Sequence, residues 1–130
     1  CYFKKQAYKE ASNWFRKFVD YYPNAKTKII ADAYNRIGDY FYLARQFDIA
    51  VDYYSKAVDI NKFDVDYSLY QEALCYGFVS GKESQKIIVL TQLINDFGHS
   101  PYVDDAIYLR GETYTNMEEY KMALADFDLL

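Results

Sequence analysis

The chain has 130 residues, 52% of them hydrophobic and 26% charged, which suits one ordinary folded domain with a real core and argues against disorder. Its 15 basic residues are scattered among 19 acidic ones for a net charge of −4, without the basic stripe that a nucleic-acid partner requires. No apolar run approaches the roughly 20 residues that span a bilayer, so direct membrane insertion is not expected.

The first periodic stretch, "AYKEASNWFRKFVDYYPN", sets Ala11, Phe15 and Phe18 at helical spacing and stops at Pro23, which cannot continue a helix. Next comes "YNRIGDYFYLARQFDIAVDYYSKAV", two helical runs separated by the polar turn "ARQFD". Gly38 lies inside the first run, where glycine costs about 1 kcal/mol relative to alanine, so a close neighbour is expected against its backbone. The second helix of the same pair is the expected neighbour, with Ala50 as the small residue at closest approach and Tyr34, Phe41 and Tyr54 filling the space around it. Gly38→Val is then expected to destabilise the fold by overpacking.

A weaker unit follows at "YSLYQEALCYGFVSGKESQKIIVLTQLINDFG". Gly81 occupies its inter-helix turn, Leu90 and Leu93 take core positions, and Leu74 and Lys86 stand where Gly38 and Ala50 stood. The last stretch, "IYLRGETYTNMEEYKMALADF", restores the pattern. Gly111, Tyr114, Ala123 and Phe127 repeat Gly38, Phe41, Ala50 and Tyr54 at a constant offset of 73 positions, two units of 36 to 37. The chain thus reads as a half unit over about 1–25 and units over about 31–64, 67–100 and 104–130, the last cut short. A pattern that runs off both ends is expected of a fragment of a longer protein, and such cut ends are expected to self-associate.

The slots Tyr34, Ile37, Gly38, Phe41, Ala50, Tyr54 and Ala57 together resemble the tetratricopeptide repeat. Lys62 stands where that family's terminal proline is usual, although the preceding unit keeps it as Pro23. The last unit agrees at Ile107, Gly111, Tyr114, Ala123 and Phe127 but has Arg110 where an apolar residue is usual. The resemblance implies an all-α fold, a right-handed superhelical solenoid of antiparallel helix pairs whose first helices line a concave groove. It also implies a non-catalytic scaffold or adaptor that binds proteins or peptides. The alternative is a structural spacer or dimerisation arm attached to another functional domain. The linkers "YYPNAKTKIIADAY" and "DFGHSPYVDDAIY" resemble those of cell-envelope repeat proteins of Gram-negative bacteria, such as outer-membrane assembly lipoproteins and the Tol-Pal coordinator, which implies the periplasm or cell envelope.

If the first helices line the groove, the residues expected to face a partner are Asn35, Asp39 and Tyr42 in one unit, Gln71, Cys75 and Phe78 in the next, and Tyr108, Glu112 and Thr115 in the last. Polar residues on a helix face are ordinarily just solvated, so these stand out as a set rather than singly. Asp39 and Glu112 occupy positions where a clamp for a peptide's terminal carboxylate needs Asn or a base, so chaperone-tail binding is not expected.

No catalytic, cofactor or metal site is expected, because no acid, base and nucleophile converge at helical spacing. His99 and Ser100 are adjacent turn residues with no orienting acid, and "GDYFY" and "GKES" lack a phosphate-loop frame. Asp104 and Asp105 suit the positive start of a helix. Cys1 and Cys75 have no metal-ligand spacing, and Cys75 reads as a small residue partly lining the groove. Lipidation of Cys1 is not expected, since Tyr2 and Phe3 lead straight into helical pattern.

Overall fold

A computed structural model describes residues 2–22, 28–60 and 62–130, among which there are seven helices and no strand. They are α1 (Tyr2–Tyr21), α2 (Lys28–Leu43), α3 (Phe47–Ile60), α4 (Val65–Gly77), α5 (Glu83–Asp96), α6 (Val103–Asn116) and α7 (Tyr120–Leu129). Cys1 and Pro23 lie outside the described residues, while Pro101 sits in the turn between α5 and α6. Each helix packs chiefly on its neighbours in the chain, α1 on α2, α2 on α3 and so on to α6 on α7. This nearest-neighbour order is that of an all-α solenoid, in which one helix pair covers the apolar face of the next. None of the described helices is long and apolar enough to cross a membrane.

The helices form where apolar residues recur every three or four positions. Ile30, Ala33, Ile37 and Phe41 make the buried stripe of α2, and Ala50, Tyr54 and Ala57 that of α3. All three turns inside the helix pairs use one device. Arg45, Gly81 and Glu118 occupy equivalent positions of successive units, and all have positive φ, at 61°, 79° and 61°. The left-handed residue lets the chain reverse while an amide caps the helix just ended: Gln46 N–H donates to Phe41 O at 2.9 Å, and Glu119 N–H to Tyr114 O at 2.8 Å. Only Gly81 fits this backbone without steric cost.

Two hydrophobic clusters run through the stack and meet at α4. Cys75 belongs to the first cluster with Ile30, Ile37, Phe41 and Tyr54, while Val65, Leu69 and Ala73 belong to the second with Leu90, Leu93 and Ala106. A helix covered on both sides buries polar positions too, and these must find partners. Ser68 Oγ donates to Asn35 Oδ1 at 2.8 Å, joining α4 to α2, and Ser55 Oγ donates to Glu72 Oε1 at 2.8 Å, joining α3 to α4.

What lies against Gly38 is an aromatic ring rather than Ala50. A Cβ placed on Gly38 would meet Tyr54 Cε1 at 2.7 Å, and one on Gly111 would meet Phe127 Cε1 at 2.7 Å. Ala50 and Ala123 are buried, as small residues on the second helices, but the close approach to each glycine comes from the ring four positions later. The glycine therefore makes room for an edge of the ring, and the two residues form one unit of packing.

Arg110 departs from the apolar pattern because it has a buried partner. Its Nε and Nη2 donate to the two carboxylate oxygens of Asp126 at 2.9 and 2.7 Å, and Nη1 donates to Thr91 Oγ1 at 3.1 Å. The side chains are 14% and 5% exposed, so α5, α6 and α7 are joined by a two-pronged pair in place of the Ile37 and Tyr53 found two units earlier.

Candidate functional site

Asp39 organises the face where α1, α2 and α4 come together. Its Oδ1 accepts the hydroxyls of Tyr54, from α3, at 2.6 Å and Tyr67, from α4, at 2.7 Å. Its Oδ2 faces Arg36 Nη1 at 3.2 Å, one turn earlier on α2. The Arg36 guanidinium also lies over the Tyr67 ring, 5.6 Å from its centroid. Gln71 Nε2 completes the network by donating to Tyr54 Oη at 3.3 Å. One carboxylate thus ties three helices together.

The titration behaviour follows from this arrangement. Burial, then the charge of Asp39 and its hydrogen bond, pushes the Tyr54 phenol far up. Burial, then the hydrogen bond to Asp39 and its charge, does the same for Tyr67. Burial pulls Arg36 down, but Asp39, Tyr67 and Asp32 outweigh it and leave the guanidinium net raised. Both phenols therefore stay neutral donors and Arg36 stays charged throughout the biological pH range.

Beside this network lies an open cavity of about 340 Å³ lined by Ala11, Phe15, Arg36, Asp39, Tyr42, Leu43, Tyr67 and Gln71. It brings together three of the residues expected on the groove, Asp39, Tyr42 and Gln71. Tyr42 continues the surface toward an aromatic cluster, with Phe47 at 5.6 Å and Phe78 at 6.3 Å between ring centroids. Phe47 and Phe78 stack at 4.5 Å, and Arg45 lies over both rings. Phe78 is exposed, at 55%.

The other expected groove residues are placed differently. Asn35 is buried under its hydrogen bond with Ser68 and offers nothing to a partner. Cys75 is also fully buried rather than lining the groove, and burial, then Glu72 and Asp39, pushes its thiol up to about 12, which leaves it unreactive. Cys75 points inward because α4 is covered on two sides, and Asn35 because Ser68 of α4 closes over it. Tyr108, Glu112 and Thr115 lie on α6, outside the cavity. Tyr108 and Glu112 are exposed, and Thr115 Oγ1 donates back to Gly111 O at 3.0 Å.

Sequence reasoning missed Arg36, Leu43 and Tyr67, together with the contribution of Ala11 and Phe15 from α1. Two of these carried a signal. Arg36 stands three positions before Asp39, the spacing of a helical ion pair, and Tyr67 stands four before Gln71 on the same face. Outside the groove, His99 is an exposed turn residue, and Ser100 Oγ donates to Asp66 Oδ2 at 2.7 Å, anchoring the α5–α6 turn to α4. Asp104 and Asp105 lie in the first turn of α6.

No curated protein matches the chain. The sequence profile of the tetratricopeptide repeat matches residues 31–64, which hold most of α2 and all of α3 and stop just before α4. That stretch is similar to a repeat whose family generally binds proteins, and the stack around it is the kind of all-α helical solenoid that such repeats build.

Proposed function

We propose that the chain is a non-catalytic scaffold that holds an extended peptide, or a segment of a partner protein, against the concave side formed by α2 and α4. The observation that carries this reading is the cavity beside Asp39. Its wall is mostly aromatic and aliphatic, through Ala11, Phe15, Tyr42, Leu43 and Tyr67, with polar groups at Arg36, Asp39 and Gln71. The polar atoms are fixed in advance by hydrogen bonds between helices and by the Arg36–Asp39 ion pair within α2, which lowers the cost of ordering them around a ligand. Envelope placement in a Gram-negative bacterium draws its support from the linkers "YYPNAKTKIIADAY" and "DFGHSPYVDDAIY".

The test is selection of peptides from a random library on the immobilised chain, followed by fluorescence anisotropy of those recovered. Tyr42→Ala and Gln71→Ala, each shown by circular dichroism to be folded, are expected to weaken binding about tenfold or more, the usual cost of losing a central contact. Peptides that bind the variants and the wild type alike overturn the groove. Recovery of no peptide favours the alternative, a spacer or dimerisation arm.

A further inference from the structure

We propose that copies of this chain join head to tail, with α1 of one copy lying across a face that α6 and α7 of the next leave open. The equivalent face two units earlier takes a helix. There α4 sets Ser68 on Asn35 and Gln71 on Tyr54, and Val51 is buried beside them. At an offset of 73 those three positions become Tyr108, Phe127 and Leu124 on the α6–α7 pair, and all three are exposed. The earlier face is partly polar, whereas this one presents two rings and a leucine, with Tyr108 and Phe127 at 6.0 Å between centroids. Such a face suits the apolar stripe of an amphipathic helix. None of its residues lines the cavity beside Asp39, so it is a surface separate from the groove.

The α1 helix carries such a stripe. Trp14 and Tyr21 are exposed two turns apart, and Lys17, also exposed, stands between them on the same side of the helix. Trp14 is held in place by stacking on Phe18 at 5.6 Å and by an edge contact with Phe15 at 5.4 Å, so it loses little freedom on docking. Charge points to a second copy as the occupant. Residues 2–22 hold 5 basic and 2 acidic residues, a net charge of +3, whereas residues 103–130 hold 7 acidic and 2 basic ones, a net charge of −5. Arg110 and Asp126 cancel each other in their buried pair. Glu112, one turn after Tyr108, and Asp128, one turn after Leu124, are exposed and form no ion pair among the described residues. Opposite signs draw α1 onto the α6–α7 face, and like signs oppose the meeting of either face with itself. Because the two faces lie on different helices of one chain, the contact is heterologous, and each added copy leaves a face free for the next.

The test is sedimentation velocity of the chain from about 1 to about 200 µM, over which the average mass is expected to rise with concentration past that of a dimer. Trp14→Glu sets an acid against the acidic α6–α7 face, and Leu124→Lys sets a base against basic α1. Both positions are exposed, and circular dichroism checks that each variant is folded. Each variant alone is expected to associate at least about tenfold more weakly than the wild type. An equimolar mixture of the two is expected to form a dimer that grows no further, because the first variant keeps its α6–α7 face and the second keeps its α1 face. A wild type that stays monomeric throughout, a variant that associates as the wild type does, or a mixture that stays monomeric overturns the proposal. Association lost in one variant and untouched in the other means that a face meets its own copy, which overturns the head-to-tail contact as well.

Discussion

Gly38 and Gly111 offer a controlled comparison, because the same overlap meets two rings of different freedom. Alanine at either position would bring Cβ to 2.7 Å from a ring carbon, so the ring must withdraw by about 0.7 Å to reach ordinary contact at 3.4 Å. Tyr54 is fully buried, and its hydroxyl is held by Asp39 at 2.6 Å. Moving it strains the core by about 1–3 kcal/mol and weakens a hydrogen bond to a carboxylate worth about 1.5–3 kcal/mol. Against this stands the helical advantage of alanine over glycine, about 1 kcal/mol. Gly38→Ala is therefore expected to destabilise the chain by about 2–3 kcal/mol. Phe127 is 38% exposed and has no hydroxyl, so it can swing outward. Gly111→Ala is expected to fall within about 1 kcal/mol of the wild type, strain and helical gain nearly cancelling.

Urea unfolding followed by circular dichroism measures both, and a double-mutant cycle identifies the cause. In a Tyr54→Leu background the ring is gone, and Gly38→Ala is expected to become neutral or stabilising. Equal costs at the two glycines, or a Gly38→Ala cost that persists undiminished once Tyr54→Leu has removed the ring, would refute the pairing of glycine with ring.

Three further outcomes follow from buried or strained groups. Glu72 is 3% exposed, and burial pushes its carboxyl up from 4.5 to about 7, with the Ser55 hydrogen bond opposing and Asp59 adding to the rise. The folded chain holds this proton more tightly than the unfolded one, so stability falls as pH rises from 4.5 to about 7, by about 3 kcal/mol at 1.4 kcal/mol per pH unit. Glu72→Gln is expected to remove that slope and raise the urea midpoint at pH 8, which titration of the midpoint between about pH 4 and 8 would check. Asp126→Asn leaves Arg110 with an incomplete buried partner and is expected to cost about 3 kcal/mol, whereas Arg110→Ile with Asp126→Tyr, the residues of the equivalent earlier positions, is expected to be near neutral in the same unfolding assay. Glu118 has φ of 61° where the equivalent turn has Gly81, so Glu118→Gly is expected to stabilise by up to about 1 kcal/mol, visible as a raised unfolding midpoint.

The helices and their pairing were legible because they rest on spacing. The stripe through Ile37, Phe41, Ala50 and Tyr54 recurs 73 positions later with one departure, Arg110 for Ile37; the helices bury the earlier copy, whereas in the later one Ala123 is buried and Phe127 is 38% exposed. Spacing also marked the close approach at Gly38 but not its partner, since either Ala50 or Tyr54 on the facing helix could have supplied it. The turns were less legible. Gly81 announces its left-handed backbone, but Arg45 and Glu118 adopt the same conformation without the residue that favours it, because the helices on either side dictate the reversal.

The groove was legible only in part, for a reason that lies in α4. A first helix at the edge of a stack has one buried face and one open face, and counting one and five positions from its opening aromatic then finds the open one. α4 is covered by both hydrophobic clusters, so the count places Cys75 on a face that is closed, and Asn35 is closed in turn by Ser68 reaching across from α4. The same closeness brings Tyr67 within 2.7 Å of Asp39, a contact between residues 28 positions apart that no periodicity within one helix can announce. The cavity wall and the packing between helix pairs thus share one carboxylate. A substitution at Asp39 would loosen Tyr54 in the core and remove a wall of the cavity together, so loss of binding in such a variant could not distinguish the two. Gln71 and Tyr42, which line the cavity without bonding Asp39, are the positions at which binding can be separated from folding.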